Sequence, residues 1–270
     1  MVSVINALDI DALRERYETA EPFPFFFIDG FLEEGFAHEV ARAFPCYAEA
    51  RGLGHEFDAV NEKSKIQITA RDRFPEPVKM LGDALNSPGF LEQLQQVTGI
   101  NALIGDPLFA GGGMHMTGPR GRLDVHVDFN YLGDRQLHRR LNILIYLNEG
   151  WNKDWGGDVE LWDRNVRHCF HSFSPIFNRC VVFETSEISF HGVTSVKCPR
   201  DVARKSFAAY YYTRKAPHSW DGQEHSTVFR ARPDERLKRF ILMPAERVGR
   251  SLGSGLRRLK RVVRGSIDRP

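Results

Sequence analysis

The stretch LDVHVDFNYLG, Leu123 to Gly133, places an imidazole and a carboxylate two residues apart inside an apolar run. In an extended strand side chains alternate faces, so His126 and Asp128 point to one side and Val125, Val127 and Phe129 to the other. Taken by themselves the two polar residues are as readily a hydrogen-bonded couple in an ordinary sandwich as two-thirds of a metal site. A third ligand would have to come from a distant strand, and His191 in ISFHGVTSV lies in such a run. Two histidines and one carboxylate on one face of an octahedron leave three positions open, the facial triad of non-haem Fe(II) oxygenases.

The sequence around this stretch is β in texture. GGGMHMTGPRGRLDVHVDF predicts a hairpin-like turn around Gly118-Pro119. RRLNILIYLN, GGDVELWDR, RCVVFET, EISFHGVTSV and RKSFAAYYYT read as further short strands, a spacing that predicts a sandwich or barrel. Residues 1–100 read as helices and short strands packed as a support on that core. There PFPFFFIDGFLEEGFAHEVARAFP predicts a strand, a turn at Asp29-Gly30 and a helix from about Glu33 to Phe44. PVKMLGDALNSPGFLEQLQQVTG predicts two helices split at Ser87-Pro88-Gly89. The β core is expected over 101–215, followed by an extension over 216–270.

Composition narrows the function classes. Of 270 residues, 42% are hydrophobic and 27% charged, ordinary for a globular chain able to bury a core. A net charge of +2 gives no ground for nucleic-acid binding. There is no run of eighteen apolar residues. Four cysteines without a CxxC pair argue against thiolate zinc and iron–sulfur sites. MVSVINALDIDALRERYE carries acids early and no basic leader pattern, so a cytoplasmic protein with reduced thiols is expected. From Arg247 to Arg264 there are seven basic residues and no acid. Leu252, Leu256, Leu259, Val262 and Val263 recur there at helical spacing, which reads either as a solvated tail or as weak contact with an anionic membrane surface.

An iron enzyme that uses 2-oxoglutarate must also hold the distal carboxylate of that co-substrate. This needs a buried cation with hydroxyls beside it. RKSFAAYYYT supplies Arg204 and Ser206 on one face, with Lys205 and Phe207 on the other. Five elements then stand in a telling order: HVD at 126–128, IYLNEGW at 145–151, GGDVELWD at 156–163, FHGVTSV at 190–196 and RKS at 204–206. Together they resemble the 2-oxoglutarate/Fe(II)-dependent oxygenases, and within them the prolyl-4-hydroxylase-like group, over roughly residues 20–213.

That resemblance implies a mainly β fold with flanking helices and a double-stranded β-helix (jelly-roll) core. It implies iron on His126, Asp128 and His191. The C5 carboxylate of 2-oxoglutarate falls to Arg204, helped by Ser206 and Tyr146, with Lys205 a minor alternative to Arg204 because the interval after His191 is a few residues long. Met116 stands where some members carry a tyrosine near the C1 end, so that contact is either absent or supplied by another group such as Asn142 or His115. Substrate contacts are expected just beyond the HVD element, at Asn130 and Arg135, and at Trp151 after a strand end. The implied reaction couples O₂ and decarboxylation of 2-oxoglutarate to hydroxylation of an unactivated C–H bond. Asp128 favours hydroxylation, because members with Gly or Ala at that place free a position for halide. A peptidyl or amino-acid-like substrate is the first expectation. Two alternatives stay open: a small-molecule tailoring oxygenase, with a closed pocket rather than an open groove, and a non-catalytic metal-binding jelly roll used as a sensor.

Overall fold

The alternating apolar runs pair into one antiparallel sheet that curls on itself as a double-stranded β-helix. The structure, a computed structural model, describes residues 4–235 and Lys238. The basic stretch from Arg247 to Arg264 lies outside the described residues. Among the described residues five α-helices are formed: α1 (Ile10–Thr19), α2 (Glu34–Ala43), α3 (Tyr47–Leu53), α4 (Glu76–Leu85) and α5 (Pro88–Thr98). The strands are β1 (Phe25–Asp29), β2 (His55–Phe57), β3 (Glu62–Ile68), β4 (Gly113–Val127), β5 (Tyr131–Leu132) and β6 (Leu137–Tyr146). They continue with β7 (Val159–Trp162), β8 (Cys169–Phe173), β9 (Arg179–Glu184), β10 (His191–Val193), β11 (Arg204–Thr213) and β12 (Val228–Phe229).

The helix ends follow the local chemistry of the sequence. Glu33 caps α2 by accepting from the backbone N–H groups of Gly35 and Phe36. Ser87 caps α5 by accepting from Phe90, Pro88 occupies the first turn, and Gly99 closes the helix at φ 68°. These caps split the 76–98 segment into two helices, as its Ser-Pro-Gly pattern predicts. Leu81, Leu85, Phe90 and Leu94 pack with Met114, Ile143, Ile145 and Phe207, so the helices cover the outer face of the sheet. Each fully buried side chain of this kind contributes about 1.5–3 kcal/mol. None of the described helices is long and apolar enough to cross a membrane.

The sheet runs β1-β9-β6-β11-β4-β10-β7-β8. Its first half is the layer under the helices, and its second half folds back over that layer. Three strands of the first hundred residues join it: β1 beside β9, β3 beside β4 and β2 beside β3. β4 belongs to both halves. Its start pairs with β11 and its end with β10. The Gly118-Pro119 stretch is therefore a bend within one strand rather than a hairpin turn. Thr117 opposes Lys65 and Arg122 opposes Lys63, so the residues between bulge out of the ladder. Arg120 takes φ 64° at the bend, and the strand changes layer without reversing direction.

Candidate active site

The two halves of the sheet face each other across the ends of β4 and β10. The ladder sets His191 directly opposite His126, with ring centroids 4.2 Å apart. Asp128, just past the end of β4, reaches between them. Its oxygens lie 3.4 Å from Nε2 of His126 and 3.5 Å from Nε2 of His191. The ligand atoms of the three residues all lie within 4.8 Å of one another, close enough for a single ion.

Each imidazole is fixed from behind. Nδ1 of His126 meets the Asp124 carbonyl at 2.8 Å, and Nδ1 of His191 meets the Ser189 carbonyl at 3.0 Å. A carbonyl only accepts, so Nδ1 carries the proton and Nε2 turns its lone pair to the centre. Burial pushes His191 down to about 3, and the neighbouring His126 acts in the same direction. It stays neutral, as a metal ligand must. Two neutral imidazoles and a carboxylate suit Fe(II), so the donor set fits the metal expected from the sequence.

Asp128 also has a counter-charge of its own. Nη2 of the buried Arg139 lies 3.0 Å from Asp128 Oδ2. Asn142 bridges the two. Its amide donates to Asp128 at 2.7 Å, and its carbonyl accepts from Arg139 Nε and Nη2 at 2.9 and 2.8 Å. The guanidinium lies 3.5 Å from the ring centroid of Tyr210 and 4.5 Å from that of Phe129. Burial would raise the Asp128 carboxyl, but the Arg139 guanidinium beside it outweighs this and holds the group well below the usual range.

The triad lines a cavity of about 320 Å³ that also contains Arg204 and Ser206. Arg204 is buried and makes no ion pair among the described residues. Its Nε donates to the Gly157 carbonyl at 2.6 Å, Nη1 lies 3.4 Å from the Ser206 hydroxyl, and the guanidinium lies 4.9 Å from the ring centroid of Tyr146. Among the described residues the buried Tyr146 hydroxyl has no hydrogen-bond partner. A buried cation without an anion, beside an orphaned hydroxyl, is costly unless something completes it. A carboxylate would satisfy both groups, so this corner fits the distal end of 2-oxoglutarate. Gly157 permits the arrangement. It sits at φ 76°, and a Cβ there would come 3.0 Å from Arg204 Cδ. Lys205 points away, its ammonium 3.3 Å from the Ala41 carbonyl.

At the Met116 departure, Met116 packs into the core under the helices, while its neighbours His115 and Thr117 line the cavity. His115 lies 2.9 Å from the Gln67 amide and 3.2 Å from the Gly111 carbonyl, and burial pushes it down to about 3. Three sequence candidates are not brought to the cavity. Asn130 spends its amide on Glu187, on the Gln223 carbonyl and on the His225 N–H, clasping the chain after β11. Arg135 is paired with Asp106 at 2.7 Å. Trp151 donates to the Gly156 carbonyl at 3.0 Å and packs with Trp155, Val196 and Cys198 behind Arg204.

The sequence reading also missed residues. Arg139 reaches the cavity through a bulge: Tyr211 pairs with Leu141 and Tyr212 with Arg139, so Arg140 is the extra residue. Strict alternation from Asn142 would have put Arg140 inside, whereas Arg140 turns out to Glu184. Ser226, Thr227 and Phe229 line the cavity from the extension, which carries no strand pattern of its own.

Comparison with known proteins bears on this geometry. Residues 112–212 match the family described as the 2OG-Fe(II) oxygenase superfamily, a span that holds the whole triad together with Arg204 and Ser206. Over that span the chain is similar to the 2OG-Fe(II) oxygenase superfamily. The superfamily's description names Fe(II) and 2-oxoglutarate, the two groups for which the cavity has matching donors. A curated relative is the Mus musculus prolyl 3-hydroxylase OGFOD1, 32% identical over 78 residues. Those residues are 27% of this chain and 14% of that protein, so the chain spans about a seventh of the relative's length. Among solved structures, a Pseudomonas putida prolyl-4-hydroxylase aligns with a TM-score of 0.55 at 17% identity, covering 76% of this chain and 100% of that one. A Trichoplax adhaerens prolyl hydroxylase, solved with a hypoxia-inducible-factor peptide fragment, aligns at 0.54 and 18% identity, covering 75% and 88%. At these identities the likeness is one of fold, and that fold is the jelly roll of the oxygenases.

Proposed function

We propose that the chain is an Fe(II)- and 2-oxoglutarate-dependent dioxygenase that hydroxylates a prolyl or similar aliphatic position in a polypeptide. The observation that carries the reading is the sharing of one cavity by an oriented His–Asp–His triad and a buried Arg204 that has no ion pair among the described residues. A metal-binding sensor has no need of the second feature. The polypeptide preference is supported by the opening of the site. The cavity shares Gly111, Phe129 and Ser226 with a surface groove of about 490 Å³ that Tyr131, Leu132, Glu224 and His225 complete. An extended chain needs such an open approach, and a compact metabolite does not. The relatives named above as prolyl hydroxylases point the same way.

When bound, iron and 2-oxoglutarate together would supply the oxidising power for attack on an unactivated C–H bond. His126, Asp128 and His191 would hold the metal. Arg204 would take the distal carboxylate of 2-oxoglutarate, with the Ser206 and Tyr146 hydroxyls beside it. Arg139 and Asn142 keep Asp128 ionised and aimed, so its carboxylate remains a ligand rather than an acid. Leu144, Val159, Phe183 and Val193 form apolar wall around the triad and limit water at the reacting position. Cys46, Cys169, Cys180 and Cys198 are free thiols, in keeping with a reducing, cytoplasmic setting.

The test is succinate formation from 2-oxoglutarate by the anaerobically iron-loaded chain after exposure to air, with and without proline-containing peptides, followed by mass spectrometry for gain of one oxygen atom. No succinate from a chain that binds iron would sink the enzyme reading. Succinate release stimulated only by small metabolites would sink the polypeptide part alone.

A further inference from the structure

The family match ends at residue 212, yet the chain continues across the strands that carry the histidines. β12 pairs with the end of β4, Val228 opposite Val127 and Phe229 opposite His126. The Phe229 ring lies 5.3 Å from the His126 imidazole. The Arg230 N–H donates to the Val125 carbonyl at 2.8 Å. Arg232 then lies across three strands. Its Nε and Nη2 donate to Glu160 on β7 at 2.9 and 2.7 Å, Nη2 lies 3.4 Å from the Val193 carbonyl on β10, and Nη1 lies 3.9 Å from Asp124 on β4. Lys238 closes the cluster, 2.5 Å from Asp124 and 2.9 Å from Glu235.

The anchor points are not arbitrary. Glu160 pairs in the ladder with Gly192, the residue after His191. The carbonyl of Asp124 is the group that orients His126. The Asp124 carboxylate is fully buried, so its place in the fold depends on the cations around it: Lys238, Arg232 and, at 3.5 Å, Arg122.

We propose that Arg232 and Lys238 are positioning residues for the two metal-binding histidines. Arg232 locks β4, β7 and β10 in one register, and Lys238 fixes Asp124 and through it the His126 ring. The proposal rests on the reading of the triad as an iron site. A segment that merely covered a sheet edge would add stability without acting on the metal. Groups that orient metal ligands typically account for about 10–100-fold in metal affinity.

The experiment is Co(II) titration, followed by its visible absorption, on the full chain. The variants are Arg232→Met, Lys238→Met, Asp124→Asn and the Lys238→Met/Asp124→Asn double. Asp29→Asn serves as control, because it breaks an ion pair with Arg179 at a remote sheet edge. Circular dichroism verifies folding, and Arg232→Lys stands in should Arg232→Met not fold. The expected result is a Co(II) affinity at least about tenfold weaker in Arg232→Met and Lys238→Met, and unchanged in Asp29→Asn. The double variant should be no weaker than Asp124→Asn, because Lys238 acts through Asp124. Affinities within twofold of the parent in both cation variants, or additive losses in the double, overturn the proposal. Equal Co(II) affinity in the parent and His126→Ala overturns the triad reading itself, and this proposal with it.

Discussion

Replacing Arg139 by methionine removes the cation that balances Asp128 before any metal arrives. The two groups are 3.0 Å apart and both are enclosed. At that distance and an effective dielectric of about 20, their attraction is about 5 kcal/mol. Breaking one side of a buried pair typically costs about 3–5 kcal/mol, because the other charge is stranded. A divalent cation at the triad supplies the missing counter-charge, so the penalty falls on the metal-free form. At about 2–4 °C per kcal/mol, the metal-free variant should melt roughly 6–20 °C below the parent. Saturating Mn(II) should then raise its Tm by more than it raises the parent's. Thermal melts in EDTA and in Mn(II) give both increments. Arg135→Met is the control, since it breaks the Asp106 pair away from the triad and should lower both forms alike. Equal metal increments in Arg139→Met and the parent would refute the idea that Arg139 stands in for the metal's charge.

Three further outcomes follow from the same geometry. Arg204→Met should raise the KM for 2-oxoglutarate by about 10–100-fold, the worth of about 1.5–3 kcal/mol in charge-assisted bonds, while Lys205→Met leaves it unchanged; equal effects on succinate kinetics would contradict the facing of β11. Gly157→Ala should also raise that KM, because the new methyl meets Arg204 Cδ at 3.0 Å, and a parental KM would show that the corner yields freely. His115 titrates near 6.5 when unfolded but only near about 3 when folded, so between those values the unfolded chain binds the extra proton and stability falls as pH is lowered. From pH 7 to 5 the loss is about 2 kcal/mol, and urea unfolding of metal-free protein at pH 7 and 5 should show a smaller drop in His115→Gln; an equal drop would remove His115 from the account.

What was legible in the sequence depended on local regularity. His126 and Asp128 could be assigned to one face because β4 pairs regularly with β12 at His126 and Val127 and Asp128 follows directly, and RKS could be split because β11 alternates cleanly through Ser206. The helix boundaries near Ser87 and Gly99 were readable because capping is a local matter. Reading failed wherever a bulge intervened. The bend at Gly118 to Gly121 has the composition of a turn, and only pairing with both β3 and β11 keeps it a strand. The bulge at Arg140 turns Arg139 inward, a one-residue slip that period-two counting gives the opposite way. Asn130, Arg135 and Trp151 lie near the site in sequence, but each is used by a neighbour that no local pattern reveals. The lining of the cavity by Ser226, Thr227 and Phe229 depends on contacts across about a hundred residues of chain, with β4 as the meeting point.

The charges inside the cavity tie its two expected occupants together. Asp128 contributes one negative charge, Arg139 and Arg204 one positive charge each, and the neutral imidazoles none, so the enclosed set carries a net charge of +1. A divalent metal alone would take it to +3, and a dianionic 2-oxoglutarate alone to −1. Both together return it to +1, the state in which the enclosed charges already fold. Each occupant therefore offsets the excess that the other creates, and in a low-dielectric enclosure that mutual effect is worth more than in water. Binding must then be coupled, and the coupling must be reciprocal. 2-Oxoglutarate should tighten Mn(II) binding by about 5–150-fold, the usual span of such coupling, and Mn(II) should tighten 2-oxoglutarate by the same factor. Calorimetric titration of each with and without the other measures both factors. In Arg204→Met the set starts at zero charge, so the metal's excess falls to +2 while that of 2-oxoglutarate grows to −2; the co-substrate binds more weakly, but the charge coupling between the two persists. Independent binding of the two in the parent would show that the enclosed charges do not govern the site.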